Sequence, residues 1–437
     1  MKFFILIVAL GAARATLYDQ KLDAASTYDC PYCQPEQVHI AFGEKSNDIV
    51  VTWSTFNDTE GSFVQYGVGV MSRQAAGSSS LFRDGGKARR EQYIHRVTLP
   101  DLQYNTTYVY HAGSEYGWSE LFSFHVPPQG TQWPVRAAIY GDMGNKNAHS
   151  LSYLQDEAER GHFDLILHVG DFAYDMHDDD GKRGDQFMRQ IQPLAAMVPY
   201  MTCPGNHEAT YNFSNYRARF SMPGGTESMF YSFDLGPLHI VSISTEYYYF
   251  LQFGARMLFT QYAWLQQDLA EANKEENRKV RPWIVLMGHR PMYCSNSDDI
   301  DCSFEYTRRG LPFVGLSLEP LLKEFGVDLV IWAHEHSYER TWPLYDNKVY
   351  NGSAQEPYRN PGATVHIVTG SAGCQEGRDR FYYNPYKWSA VRSQDYGYTR
   401  FWAHNHTHIY MEQVSVDLKG EVIDAFWLVK DKLSFNH

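Results

Sequence analysis

Five apolar runs in this chain stop on residues that can bind a metal ion. Val135-Arg-Ala-Ala-Ile-Tyr140 stops at Gly141-Asp142-Met143-Gly144. Asp164-Leu-Ile-Leu-His-Val169 stops at Gly170-Asp171-Phe172-Ala173-Tyr174, and Met197-Val-Pro-Tyr-Met-Thr-Cys203 stops, after a proline, at Gly205-Asn206-His207-Glu208. Trp283-Ile-Val-Leu-Met287 stops at Gly288-His289, and Val327-Asp-Leu-Val-Ile-Trp332 stops at Ala333-His334-Glu335-His336. Carboxylate, phenol, amide and imidazole are all ligand types for hard or borderline ions. Each motif alone is an ordinary turn or cap. Five of them in order, each after a strand-like run, point to one cleft at the carboxyl ends of an α/β sheet, where such sheets bind their ligands.

The elements that must carry these residues follow from hydrophobic patterning. Residues 134–437 alternate near-continuous apolar runs with helical stretches, over 147–160 and 260–278, as a sheet covered on both faces requires. From 362 to 430 strands dominate again and can complete the same sheets. Residues 36–127 are different. Short alternating segments such as Ile49-Val-Val-Thr-Trp-Ser-Thr-Phe56 and Thr106-Thr-Tyr-Val-Tyr110, with turn-rich spacers, predict an antiparallel β-sandwich. The stretch 102–108 resembles the tyrosine corner of fibronectin type III domains, and 127–134 reads as a linker.

The chain has 437 residues, 43% apolar and 15% aromatic, enough for two or three domains with a large core. Residues 1–15 predict a secretory signal: Lys2, an apolar stretch, then Ala13-Arg14-Ala15. Five sequons, at Asn57, Asn105, Asn212, Asn351 and Asn405, predict N-glycans and fit a secreted or lysosomal fate. Among six cysteines, Cys294 and Cys302 are the favoured pair, and Cys30-Pro-Tyr-Cys33 is a structural bridge or two thiols. The net charge of −13 becomes −15 once Lys2 and Arg14 leave with the signal. That balance, with no basic face, argues against nucleic acid as a partner, and the ends carry no membrane anchor. Oligomeric state is left open.

The motif order GDMG, GDFAY, GNHE, strand-borne His289 and AHEH resembles the purple acid phosphatases, a branch of the dinuclear metallophosphoesterases. The likeness spans nearly the whole mature chain and is closest to the long, plant-like form. It implies an N-terminal fibronectin III-like sandwich followed by a four-layer αββα catalytic domain. It also implies that Asp142, Tyr174 and His336 hold a ferric ion, that Asp171 bridges, and that Asn206, His289 and His334 complete a divalent site. Two positions depart from the family pattern. Ala333 stands where glycine is usual, and Val285 lies four residues before His289.

The chemistry is consistent. A phenol with a pKa of about 10 is a poor ligand for a divalent ion, whereas a trivalent ion can hold it as phenolate. One amide and two imidazoles suit Zn, Fe or Mn. Ferric plus divalent charge, less two carboxylates and a phenolate, leaves roughly +2, a local attractor for phosphate on an acidic protein. The expected reaction is hydrolysis of phosphate monoesters by a metal-bound hydroxide, with an acid pH optimum. His207 is the candidate catalytic residue, stabilising phosphoryl oxygens or protonating the leaving group. The further histidines that long plant-type enzymes carry after the fourth strand are missing from 291–302, which leaves the general acid open; Asp298 and Asp299 are within that stretch, which reads first as a solvated loop. Arg290 reads as a surface ion pair, 178–181 as a cleft rim or solvated loop, and His168 as a core or supporting histidine. Glycine at 144, where Ser/Thr phosphatases usually place histidine, argues against that neighbouring branch. Retention of all seven candidate ligands argues against a binding protein with a vestigial site.

Overall fold

The computed structural model describes residues 30–297 and 301–431. The expected signal over 1–15 and the acids Asp298 and Asp299 lie outside these.

The first nine strands form a sandwich. They are β1 (Glu36–Phe42), β2 (Ile49–Thr55), β3 (Phe63–Gly67), β4 (Arg73–Ala76), β5 (Ser78–Arg83), β6 (Glu91–Leu99), β7 (Thr106–Ser114), β8 (Gly117–Trp118) and β9 (Phe122–Val126). One sheet has the order β1-β2-β6-β5 and the other β4-β3-β7-β8, with β9 also on β7. Alternation places the core: on β9, Phe122, Phe124 and Val126 are buried while Ser123 and His125 face outward. Tyr108, buried in the core, accepts the Gln103 backbone N–H at 3.0 Å. This bond to a residue just upstream is what a tyrosine corner does. After Gly67 the chain turns and returns as β4, pairing Phe63 with Ala76. Strands β4 and β5 are exposed and polar, so they carry little alternation to detect.

The remaining strands build two larger sheets. They are β10 (Val135–Tyr140), β11 (Leu165–Val169), β12 (Tyr200–Cys203), β13 (Tyr231–Leu235), β14 (Leu238–Ser242), β15 (Trp283–Met287), β16 (Leu329–Trp332), β17 (Tyr338–Thr341), the small hairpin β18 (Leu344–Tyr345) and β19 (Lys348–Val349), β20 (Val365–Thr369), β21 (Ser389–Ser393), β22 (Gly397–Ala403), β23 (His408–Ser415) and β24 (Glu421–Val429). One sheet runs β12-β11-β10-β22-β23-β24, with β10, β11 and β12 parallel. The other runs β13-β14-β15-β16-β20-β17-β21, with β14, β15, β16 and β20 parallel. Ala137, Ile139, Leu165, Leu167 and Phe401 of the first sheet and Leu238, Ile240 and Val285 of the second line one apolar gap, so the sheets lie face to face. Every residue of β11, β15 and β16 is buried, which is why these strands read as continuous apolar runs. The helical expectation over 147–160 shortens to Leu151–Glu159, and that over 260–278 resolves into Arg256–Ala272 and Glu275–Val280. The last strands are divided: β20 and β21 join the second sheet, β22 to β24 the first.

Cys30–Cys33 and Cys294–Cys302 are disulfide-bonded, and Cys203 and Cys374 are free and buried. Among the described residues, no helix is long and apolar enough to cross a membrane.

Candidate metal centre

The first sheet delivers oxygen donors. Asp142 follows β10, Asp171 and Tyr174 follow β11, and Asn206 opens a short 3-10 turn after β12. Asp142, Asp171 and Tyr174 all have left-handed backbones, with φ of 58°, 53° and 48°. Non-glycine residues hold that conformation only where surrounding contacts enforce it, and such residues gather at functional sites. Gly205 is needed for closeness: a Cβ there would overlap the Asp171 carboxylate. Glu208, buried, pins both loops. Its carboxylate accepts N–H groups from Asp171 (2.9 Å), Phe172 (3.1 Å) and Gly205 (2.9 Å).

The second sheet delivers imidazoles. His289 follows β15; His334 and His336 follow β16. His289 donates Nδ1–H to the Val169 carbonyl at 2.8 Å, which turns Nε2 toward the cleft, 3.0 Å from Asp171 Oδ2 and 3.2 Å from Asn206 Oδ1. Anchoring the remote nitrogen is how proteins orient a ligating histidine. The two histidines after β16 are not on an extended segment. His334 is left-handed (φ 73°), its N–H bonds Asp142 Oδ2 at 2.9 Å, and 334–337 form a tight turn before β17 begins at Tyr338. Asp142 therefore shapes the turn as well as facing the cleft. The methyl of Ala333 fits because Gly141 opposite has none; a Cβ at Gly141 would strike it.

The seven predicted ligands converge. Tyr174 Oη lies 3.0 Å from Asp142 Oδ1 and 2.8 Å from His336 Nε2, with His336 Nε2 3.7 Å from Asp142 Oδ1. Ligand atoms of Asp171, His289 and His334 all fall within 4.8 Å of one another. Burial dominates the electrostatics. It pushes the Asp142 carboxyl up to about 7, against His289 and His336 and with help from Asp171. It drives the Tyr174 phenol well above its ordinary value, the charges of Asp142 and Asp171 adding to it. Asp171 is also desolvated, yet the imidazoles of His289 and His207 hold it below the usual carboxylate range. Two carboxylates, a phenol, an amide and three imidazoles facing one another, most of them buried, form a donor set that a multivalent cation would complete, so these residues fit metal ions.

His207 stands at the edge. Its Nδ1 meets Asp175 Oδ1 at 2.7 Å, and its Nε2 lies 3.6 Å from Glu376 Oε1 and 4.0 Å from Asp171 Oδ2. Despite desolvation, Asp171, Asp175 and Glu376 hold the imidazole protonated, its pKa raised to about 12. Arg290 differs from the expected surface pair. Its Nε bonds the fully buried Glu246 at 3.0 Å, its guanidinium lies 4.4 Å from the Tyr249 ring centroid, and its Nη1 is 2.9 Å from His334 Nε2. His168 is a core residue whose ring lies tilted against those of Tyr140 and Phe172. Asp178-Asp179-Asp180-Gly181 is solvated only in part: Asp179 is exposed, while Asp180 Oδ1 accepts the Ala88 N–H of the sandwich at 2.9 Å.

Reading the sequence missed Glu208, Asp175, Glu376, Glu246 and Cys374, whose sulfur sits 3.5 Å from His336 Nδ1. Only Glu208 left a signal, as an acid inside the GNHE turn. Cys294, Cys302 and Glu335 also cluster with metal-like spacing, but both sulfurs are committed to a disulfide.

Comparison with known proteins fits this geometry. Residues 35–126 match the family model "Purple acid Phosphatase, N-terminal domain", 135–338 match "Calcineurin-like phosphoesterase", and 363–425 match "Iron/zinc purple acid phosphatase-like protein C". The chain is 56% identical over 410 residues to zebrafish acid phosphatase type 7, covering 91% of this chain and 92% of that one. It is 49% identical over 414 residues to the human protein of the same name, covering 94% of each. The solved structure of purple acid phosphatase PPD1 from yellow lupin superposes with a TM-score of 0.78 at 26% identity, over 91% of this chain and 75% of that one. The chain belongs to the purple acid phosphatase family and is an acid phosphatase of the metallophosphoesterase type.

Proposed function

We propose that the chain hydrolyses phosphate monoesters at a dinuclear centre. Asp142, Tyr174 and His336 would hold Fe(III), Asp171 would bridge, and Asn206, His289 and His334 would hold a divalent Zn, Fe or Mn ion. The observation that carries this reading is the meeting of Tyr174 Oη with Asp142 and His336 at 3.0 and 2.8 Å, beside a second donor group of Asp171, His289 and His334. A phenol among buried acids calls for a trivalent ion to ionise it. When bound, the ions would neutralise phosphate charge and make a hydroxide nucleophile available below neutral pH.

The chain's own residues supply the rest. Asp175 orients His207, leaving Nε2–H to donate to a phosphoryl oxygen or to the departing alkoxide. Arg290, clamped by Glu246 and the Tyr249 ring, adds a fixed positive charge beside His334 for the phosphate. All five sequon asparagines are exposed, which supports glycan attachment and a secreted or lysosomal protein. A mass shift on N-glycosidase treatment of protein from its native source checks that part.

Metal analysis, visible absorption and turnover of an aryl phosphate test the centre. One iron and one divalent ion per chain, a visible charge-transfer band that disappears in Tyr174→Phe, and a rate maximum below neutral pH are expected. A colourless, iron-free protein with full turnover overturns the ferric assignment, and an alkaline optimum overturns the proposed nucleophile.

A further inference from the structure

The loop that carries Tyr174 is held at its far end by the other domain. Residues 174–181 run from the candidate metal centre to the face of the sandwich. At the far end, Asp180 Oδ1 accepts the Ala88 N–H at 2.9 Å, and the Asp180 carbonyl accepts Arg90 Nη1 at 3.3 Å. Asp185, one turn into the following helix (Lys182–Ala195), is buried and pairs with Arg90 of the sandwich and, at 2.8 Å, with Arg219. Gln92 Nε2 of the sandwich reaches the same carboxylate at 3.3 Å. Arg219, also buried, reaches the Gly181 carbonyl at 3.0 Å and Gln37 Oε1 of the sandwich at 3.1 Å. Three consecutive residues of the loop, Asp179, Asp180 and Gly181, are left-handed, with φ of 52°, 52° and 82°. Two of them are not glycine, so their conformation costs free energy and persists only under outside contacts. For Asp180 those contacts come from the sandwich, through Ala88 and Arg90. At the near end, Arg183 and Gln375 hold the Tyr174 carbonyl.

We propose that the N-terminal sandwich is a positioning element of the active centre: through Arg90, Ala88 and Gln92 it fixes Asp180 and Asp185, and so sets where Tyr174 and the His207 partner Asp175 stand. Arg90, Asp180 and Asp185 are positioning residues, acting through Tyr174. The second arm of the test below rests on the reading of Tyr174 as an iron ligand; the first does not.

Arg90→Met changes only the sandwich. In the metal-free full-length variant, hydrogen exchange over 174–183 should accelerate while β11 and β12 keep their protection. In the loaded variant, iron should be lost to a chelator roughly tenfold faster, the scale on which supporting residues affect metal affinity. Arg90→Lys keeps the charge on Asp185 and should recover most of both effects. If Arg90→Met does not fold, Asp180→Ala removes the acceptor for Ala88 N–H and should give the same local exchange. Unchanged exchange over 174–183, or acceleration spread over the whole chain, overturns the proposal. A colourless protein whose loop still loosens locally overturns the ferric reading alone.

Discussion

The two large sheets divide the donor chemistry between them. The β10-β11-β12 sheet brings Asp142, Asp171, Tyr174 and Asn206, all oxygen donors; the β14-β15-β16 sheet brings His289, His334 and His336, all nitrogen donors. The oxygen side is strained and clamped by backbone amides, with three left-handed residues and the carboxylate of Glu208 across two loops. The nitrogen side is oriented ring by ring, by the Val169 backbone carbonyl behind His289 and the Arg290 guanidinium beside His334. Carboxylates and a phenol crowded together need a rigid frame to converge, whereas the imidazoles need aiming. Neither sheet makes a site alone, so face-to-face packing of the sheets is itself a condition for the chemistry.

The contrast can be broken from either side. The largest effect is expected from Asp171→Asn, which weakens the carboxylate proposed to bridge the two groups. Turnover of an aryl phosphate should fall by far more than the roughly 100-fold that a supporting residue costs, with both metals lost together by metal analysis. Normal turnover would place the site elsewhere. Glu208→Gln should come next, since an amide offers one acceptor oxygen to three N–H groups. Metal affinity should drop about 10–100-fold with a lower melting temperature, whereas a silent variant would mean that the oxygen side needs no clamp. On the nitrogen side, Arg290→Met should lower kcat/KM about tenfold with metal content intact, since hydrogen bonds to charged groups contribute about 1.5–3 kcal/mol.

His239 on β14 sharpens the comparison, because it is a histidine of the same sheet used for stability. It lies between Asp234 (2.8 Å) and Asp268 (3.0 Å), and although burial lowers its pKa, the two carboxylates raise it to about 9. The folded value lies above the unfolded one, so the contribution is full below about pH 6.5 and fades as pH rises through about 9. The melting temperature of His239→Gln should trail wild type near pH 6 and meet it above pH 9; a constant gap would contradict the ion pairs. The smallest effect is expected from Tyr108→Phe in the sandwich. It should cost about 1 kcal/mol in denaturant unfolding and leave kcat/KM unchanged.

Much of this centre was legible as strand ends because a fully buried parallel strand writes a continuous apolar run, and its termination marks the cleft. The supporting residues were not legible. Glu376 meets His207 across 169 positions of sequence, and Asp180 meets Ala88 across 92, with no periodicity to announce either. The turn that splits His334 from His336 was not legible either, because it depends on a hydrogen bond from His334 N–H to Asp142, 192 residues away. Arg290 looked like a surface residue because a single sequence does not reveal that Glu246 is buried beside it.

What the sequence determined by itself is the inventory and its order: seven donors on five strand ends, a phenol among them, behind a sandwich with its tyrosine corner. Those features are local, written in patterning and short motifs. Tertiary structure decided which donors touch, which backbone turns are left-handed, and what holds them there. Each of those depends on contacts between distant segments, such as Glu208 with Asp171 or the sandwich with 178–185, whose free energy exists only once both sheets have packed.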